Sequence, residues 1–263
     1  MRRVVLSGIF FIAFVGMQFH TNASAQERPF LFTFSTPEAE SKPMVLHYDA
    51  AYGRRAFEPL GIDNTEQALG VYAGFGKAYT VIGKLGFAFN NSTIRSSQHV
   101  EVLRQFTKSK DNLVDFSFGP GFRHEYSGTD VLLARALVGR RFTKWQIYSN
   151  CVLEKPLSDK RDEVDLFFTF GSLRRVSSAI QLGFEAVGQD LEGFWDEEEA
   201  EGGARLFIGP TVVVDFPANP WALTLGAGPI IRATRSVQTS LAPRALETTE
   251  NGFIIHAALN FSL

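Results

Sequence analysis

The sequence is short of cysteine, of net charge and of long apolar runs, and each shortage excludes something. One Cys in 263 residues leaves no internal disulfide framework and no cysteine-based zinc site. Lys and Arg number 26 against 28 Asp and Glu, so the balance gives no electrostatic case for nucleic acid as a partner. After the first 25 residues no stretch holds about 20 apolar residues in succession, which excludes a helical membrane span. Charged residues are 21% and hydrophobic residues 45%, too apolar a balance for a disordered chain.

The one sustained apolar stretch lies at the amino terminus. Arg2 and Arg3 precede Val4 to Val15, broken only by Ser7 and Gly8, and Ala23-Ser24-Ala25 forms a small-x-small site before Gln26. This is the pattern of a secretory signal peptide over residues 1–25. The run is too short to cross about 30 Å of hydrocarbon. No Cys follows the cleavage site, so a lipid anchor is not indicated.

From Met44 onward, apolar and polar residues alternate with period two, the mark of strands with two unlike faces. Met44, Leu46, Tyr48, Ala50 and Tyr52 oppose His47, Asp49 and Gly53; Leu206, Ile208, Val212 and Val214 oppose Arg205, Gly209, Thr211 and Asp215. Twelve segments read this way: 44–54, 68–76, 79–90, 98–107, 113–124, 130–142, 144–155, 163–172, 176–188, 204–216, 221–232 and 252–263. Strands of soluble proteins average about 5–6 residues, whereas a tilted strand needs about 9–11 to cross a bilayer. The connections alternate short and long, as in membrane barrels with tight turns on one side and loops on the other. Aromatics gather at the short-turn level on the outward face: Phe75, Tyr79, Phe142, Trp145, Phe170, Phe216 and Trp221. They are expected to form an aromatic girdle. The expected fold is all-β, a single transmembrane antiparallel up-and-down β-barrel over 44–263, with about twelve strands and ten or fourteen as alternatives.

The opposite face carries Asp49, Lys84, Asp115, Arg123, Glu125, Arg135, Glu154, Asp165, Glu185, Arg205, Asp215 and Arg232. These are the candidate lumen-lining residues. They fit a water-filled channel, and they equally fit mutual salt bridges that fill a small barrel; the channel is preferred. Gly70, Gly74, Gly86, Gly119, Gly121, Gly183, Gly209, Gly226 and Gly228 share this face, leaving room inside or permitting curvature.

The last segment places Phe253, Ile255, Ala257, Leu259, Phe261 and Leu263 on one face. A chain ending in such an amphipathic strand resembles the bacterial outer-membrane β-barrel proteins, in which this strand is the assembly signal. Most of them end in Phe; here Leu263 is last and Phe261 stands two positions earlier. The resemblance implies an outer-membrane address, with the lipid bilayer and the barrel assembly machinery as partners. It implies no particular activity.

Chemistry is sparse. A barrel hydrolase would pair a Ser with a His near one rim, but none of His47, His99, His124 and His256 stands in a His-x-Ser pair. No catalytic, metal or cofactor site is expected. The acidic stretch 190–201, with Asp190, Glu192 and Glu197-Glu198-Glu199, lacks the spacing of a Ca²⁺ loop and reads as a solvated outer loop. Arg104 and Arg140 fall on the lipid-facing parity, the first suggesting a bulge in its strand and the second a side chain snorkelling to headgroups. Residues 26–43 carry Phe30, Phe32 and Phe34 between Pro29 and Pro37. They form a short extra strand, a plug in the lumen or a periplasmic extension, and the extension is preferred. The expected function is passive passage of small solutes. A filled barrel presenting its acidic loop to partners is the alternative.

Overall fold

The computed structural model describes residues 29–35, 44–54, 65–75, 78–90, 93–108, 113–157, 164–195, 204–216, 219–234 and 251–263. The expected signal peptide, residues 196–201 of the acidic stretch and most of 233–251 lie outside them.

Twelve strands carry the period-two sequence: β1 Met44–Arg54, β2 Thr65–Phe75, β3 Tyr79–Asn90, β4 Thr93–Thr107, β5 Asp115–His124, β6 Asp130–Arg141, β7 Trp145–Pro156, β8 Asp165–Arg175, β9 Ile180–Gln189, β10 Arg205–Asp215, β11 Trp221–Arg232 and β12 Gly252–Ser262. Each pairs antiparallel with its neighbours in chain order, and β1 pairs with β12 from Val45↔Ser262 to Arg54↔Phe253. The sheet therefore closes and has no free edge. The connections after β2, β4, β6, β8 and β10 share one end, here the turn end, and those after the odd-numbered strands share the other, here the loop end; the expected alternation of short and long fails at the loop end, where residues 91 and 92 alone join β3 to β4.

Burial follows the alternation. Along β6 the inward Val131, Leu133, Arg135 and Leu137 are at most 5% exposed, while Leu132 is 48% exposed. The arrangement inverts that of a soluble protein. Large apolar side chains such as Leu69, Phe75, Ile208 and Ile255 are exposed outward, and charged ones are buried inside. An exposed apolar surface running around a whole barrel is unstable in water and suited to hydrocarbon.

Several boundaries differ from the sequence reading for visible reasons. β4 begins at Thr93, because its polar first half, Thr93 to Gln98, pairs with Gln98's partner strand β3 as far as Asn90↔Thr93. Its ladder with β5 shifts between Gln105 and Thr107. That irregularity lies where Arg104 interrupts the apolar face; the guanidinium turns outward onto the rings of Tyr79 and Phe106. β8 continues to Arg175 because Trp145 pairs with Arg174, so the turn falls at 176–179, where the Ser177 hydroxyl accepts the amides of Ala179 and Ile180. After β9, Asp190 adopts a left-handed φ of 52° and opens a 3₁₀ turn, Leu191–Phe194. Asp190 is 1% exposed, and Glu192 accepts the Leu166 amide at 2.7 Å. The start of the acidic stretch is thus docked on β8 and not solvated.

The largest departure concerns residues 29–35. They do not extend away from the barrel; they lie inside it. Phe30, Leu31, Phe32 and Thr33 are at most 6% exposed.

Candidate functional site

The barrel interior is built by the inward residues of every strand, and among the described residues three clusters of its charged side chains stand out. On β1, β3 and β12, the Asp49 carboxylate meets His47 Nε2 at 2.6 Å, Lys84 Nζ at 2.9 Å and His256 Nε2 at 2.9 Å. His47 Nδ1 meets Asn260 at 2.7 Å. On β4 and β6, Glu101 takes a two-pronged pair of 2.7 Å bonds from Arg135 and a third contact from His99 at 2.6 Å. On β5 and β7, Arg123 donates to both oxygens of Glu154 and, at 2.7 Å, to Glu125. Two-pronged guanidinium–carboxylate pairs hold geometry well. Buried, they act as cross-braces between strands two apart in the barrel, β4 to β6 and β5 to β7, each spanning the strand between; removing one member leaves its partner short of a buried counter-charge.

The segment 29–35 crosses this interior. Leu31, Phe32 and Thr33 donate their main-chain amides to the two oxygens of Glu185, at 2.7, 2.8 and 3.1 Å. Glu185 is sixth in β9, fully buried, and also accepts the Thr211 hydroxyl at 3.3 Å. The segment bends at 31–33, which is what lets consecutive amides converge on one carboxylate. Asn150 of β7 clamps the next residue by its main chain, accepting Phe34 N–H at 3.1 Å and donating to Phe34 C=O at 2.9 Å. Thr224 of β11 donates to the Pro29 carbonyl at 3.5 Å.

Aromatic contacts complete the fit. Phe32 packs on Phe207 at 5.0 Å and on His256 at 5.3 Å between ring centroids. Phe34 meets Tyr72 edge-on at 5.7 Å, and the Arg135 guanidinium lies 4.2 Å from its ring centroid. Phe30 meets Tyr148 at 6.2 Å. Two glycines give this segment its space. A Cβ on Gly171 would stand 2.5 Å from the Phe30 ring, and one on Gly226 would stand 2.6 Å from Leu31 Cδ1.

The structure brings together some of the residues singled out by sequence and not others. Asp49 with Lys84, and Arg123 with Glu125 and Glu154, are contact groups; Arg135 and Glu185 touch the segment itself. Asp115 is buried and accepts Tyr148 at 3.4 Å; Asp215 accepts Gln181 at the same distance. Asp165 and Arg205 are buried at the loop end, and Arg232 is half-buried opposite Arg205. Phe75, Tyr79, Phe142, Trp145, Phe216 and Trp221 are exposed on the outer surface, and Phe170 packs there on Phe184. Arg140 and Arg174 lie over the rings of Phe142 and Trp145. Phe253, Ile255 and Leu263 are exposed, and Ala257, Leu259 and Phe261 half-buried, on the outward face of β12, where Phe261 packs on Trp221. Sequence reading missed Asn150, Thr224, Tyr72 and Tyr148. All four have inward parity, but neutral polar residues on a lumen face give no signal until a segment is there to meet them. Tyr126 turns in after β5 ends and donates to Glu66 at 2.6 Å. Among the described residues no cluster of His, Cys, Asp and Glu has the geometry of a metal site.

No family model matches the chain, and no curated protein does. Its fold is shared with solved porin structures. A KdgM porin in complex with disordered oligogalacturonate aligns at TM-score 0.56 and 10% identity, over 83% of this chain and 99% of that one. A NanC porin aligns at TM-score 0.58 and 8% identity, over 83% of this chain and all of that one.

Proposed function

We propose that this chain is an outer-membrane channel for small solutes that its own residues 29–35 hold closed. The observation that carries the reading is the buried segment, bonded by its main chain to Glu185 and Asn150 across a polar interior. The apolar outer surface, the signal peptide read at 1–25 and the porin fold support the membrane setting. The aromatic residues at the turn end would sit at one headgroup level, and the final strand would serve the assembly machinery. Passage is passive and requires no cofactor.

A plug held by hydrogen bonds and ring packing is displaceable, because water can satisfy the same groups once it leaves. The test is conductance in a planar bilayer. The mature chain gives small or rare openings, and a variant lacking residues 26–35 gives steady ones. The three charge clusters favour a second reading, a barrel filled for strength alone. It predicts that both proteins are silent while heat-modifiable gel mobility reports them folded.

A further inference from the structure

The contacts made by residues 29–35 share a property. The wall recognises the segment by its backbone: Glu185 takes three successive amides, Asn150 takes one amide and one carbonyl, and Thr224 reaches a carbonyl. The side chain between Phe32 and Phe34 is not read by any hydrogen bond. The Thr33 hydroxyl is fully buried, yet among the described residues it makes no hydrogen bond. The side chains that are read include three alternate rings, Phe30 on Tyr148, Phe32 on Phe207 and Phe34 on Tyr72 and Arg135, each two residues from the next. A surface that pairs with main-chain groups and leaves pockets for alternate side chains is how proteins bind extended peptides.

We propose that the mid-barrel cradle of Glu185, Asn150 and Thr224 is a binding site for short peptides with aromatic residues two positions apart, and that residues 29–35 occupy it as a tethered ligand. The inference deepens the closed-channel reading and rests on it in one respect, that the segment can leave. The ligand's charge follows from the chemistry. A buried carboxylate that has lost three amide donors favours a ligand bringing N–H groups and no anion of its own at that point. The peptide therefore enters with its backbone amides on Glu185, and a carboxylate-rich saccharide or acidic peptide is disfavoured there.

The test keeps the full mature chain and weakens only its tether's fit, with Leu31→Pro and Thr33→Pro, which delete two of the three donated amides. A labelled peptide of the sequence of residues 29–35 is titrated into this refolded protein, and binding is read by fluorescence anisotropy. The peptide is expected to bind the variant and to bind the unaltered chain far less, since the tethered copy holds the site. N-methylation of the peptide's Phe32 and Thr33 amides should weaken binding about tenfold or more. Alanine at its Thr33 should change binding by no more than about threefold. The N-methylated peptide leaves the barrel untouched, so its result does not depend on any wall variant folding. Failure of the parent peptide to bind a folded variant overturns the proposal, as does equal binding of the methylated peptide, which would mean apolar adhesion only. Conductance separates the two claims. A variant that conducts but binds no peptide sinks this inference and spares the channel. A silent variant with methylation-sensitive binding does the reverse.

Discussion

Replacing Glu185 by Ala removes the acceptor for three buried main-chain amides and leaves the ring contacts of the segment in place. A hydrogen bond to a charged group contributes about 1.5–3 kcal/mol net. Three donors share two oxygens here, so they do not count as three independent bonds, and burying the carboxylate offsets part of the gain. A working figure is about 3 kcal/mol, roughly a hundredfold in the ratio of docked to released segment. Glu185 is on the lumen wall, and β9 is held to β8 and β10 by main-chain pairing, so strand pairing should survive. The assay is single-channel recording of the refolded mature chain, with open probability as the readout. Glu185→Ala should raise open probability by one to two orders of magnitude, and Glu185→Gln, which keeps an uncharged acceptor, by less. A folded Glu185→Ala barrel with unchanged open probability would refute the reasoning, because the carboxylate would then contribute nothing to closure.

Gly171→Leu puts a side chain where the Phe30 ring lies and should open the channel while preserving heat-modifiable mobility; a variant as closed as the parent would show that the ring moves aside freely. Arg123→Ala takes the guanidinium away from the buried Glu154 and Glu125 carboxylates and should cost about 3–5 kcal/mol of barrel stability, read as a lower urea midpoint with no change in ion selectivity. Leu69→Arg sets a charge at the middle of β2, on a side chain that is 57% exposed on the outer surface. In vesicles it should destabilise by about 2–4 kcal/mol, and an unaltered unfolding curve would remove the lipid-facing assignment.

The fold was legible because it is written in parity. Asp49, Arg123 and Glu185 face inward, and Leu69 and Ile255 face outward, as period-two alternation requires. Boundaries slipped where parity is ambiguous. Thr93 to Gln98 are polar on both faces, and Leu173 to Arg175 resemble a turn until their pairing with Trp145 is known. The segment 29–35 was misread for a different reason. Phe30, Phe32 and Phe34 show an apolar stretch that must be covered, but Tyr148, Phe207 and His256, which meet its rings, and Glu185, Asn150 and Thr224, which meet its main chain, are all more than 100 residues away in sequence. Local pattern carries no information about that meeting. Gly171 and Gly226 held the nearest hint, since each leaves a gap on a lumen wall that something fills.

The account turns on whether residues 29–35 occupy the lumen of the folded protein. Thr33 reports this most directly, because it is fully buried and its side-chain hydroxyl makes no hydrogen bond among the described residues. With Cys151 replaced by Ser, a Thr33→Cys protein in lipid vesicles is treated with a bulky polyethylene glycol maleimide. The account predicts no labelling in the folded barrel and complete labelling after denaturation. Rapid labelling of the folded protein would place the segment outside the lumen and contradict the closed channel.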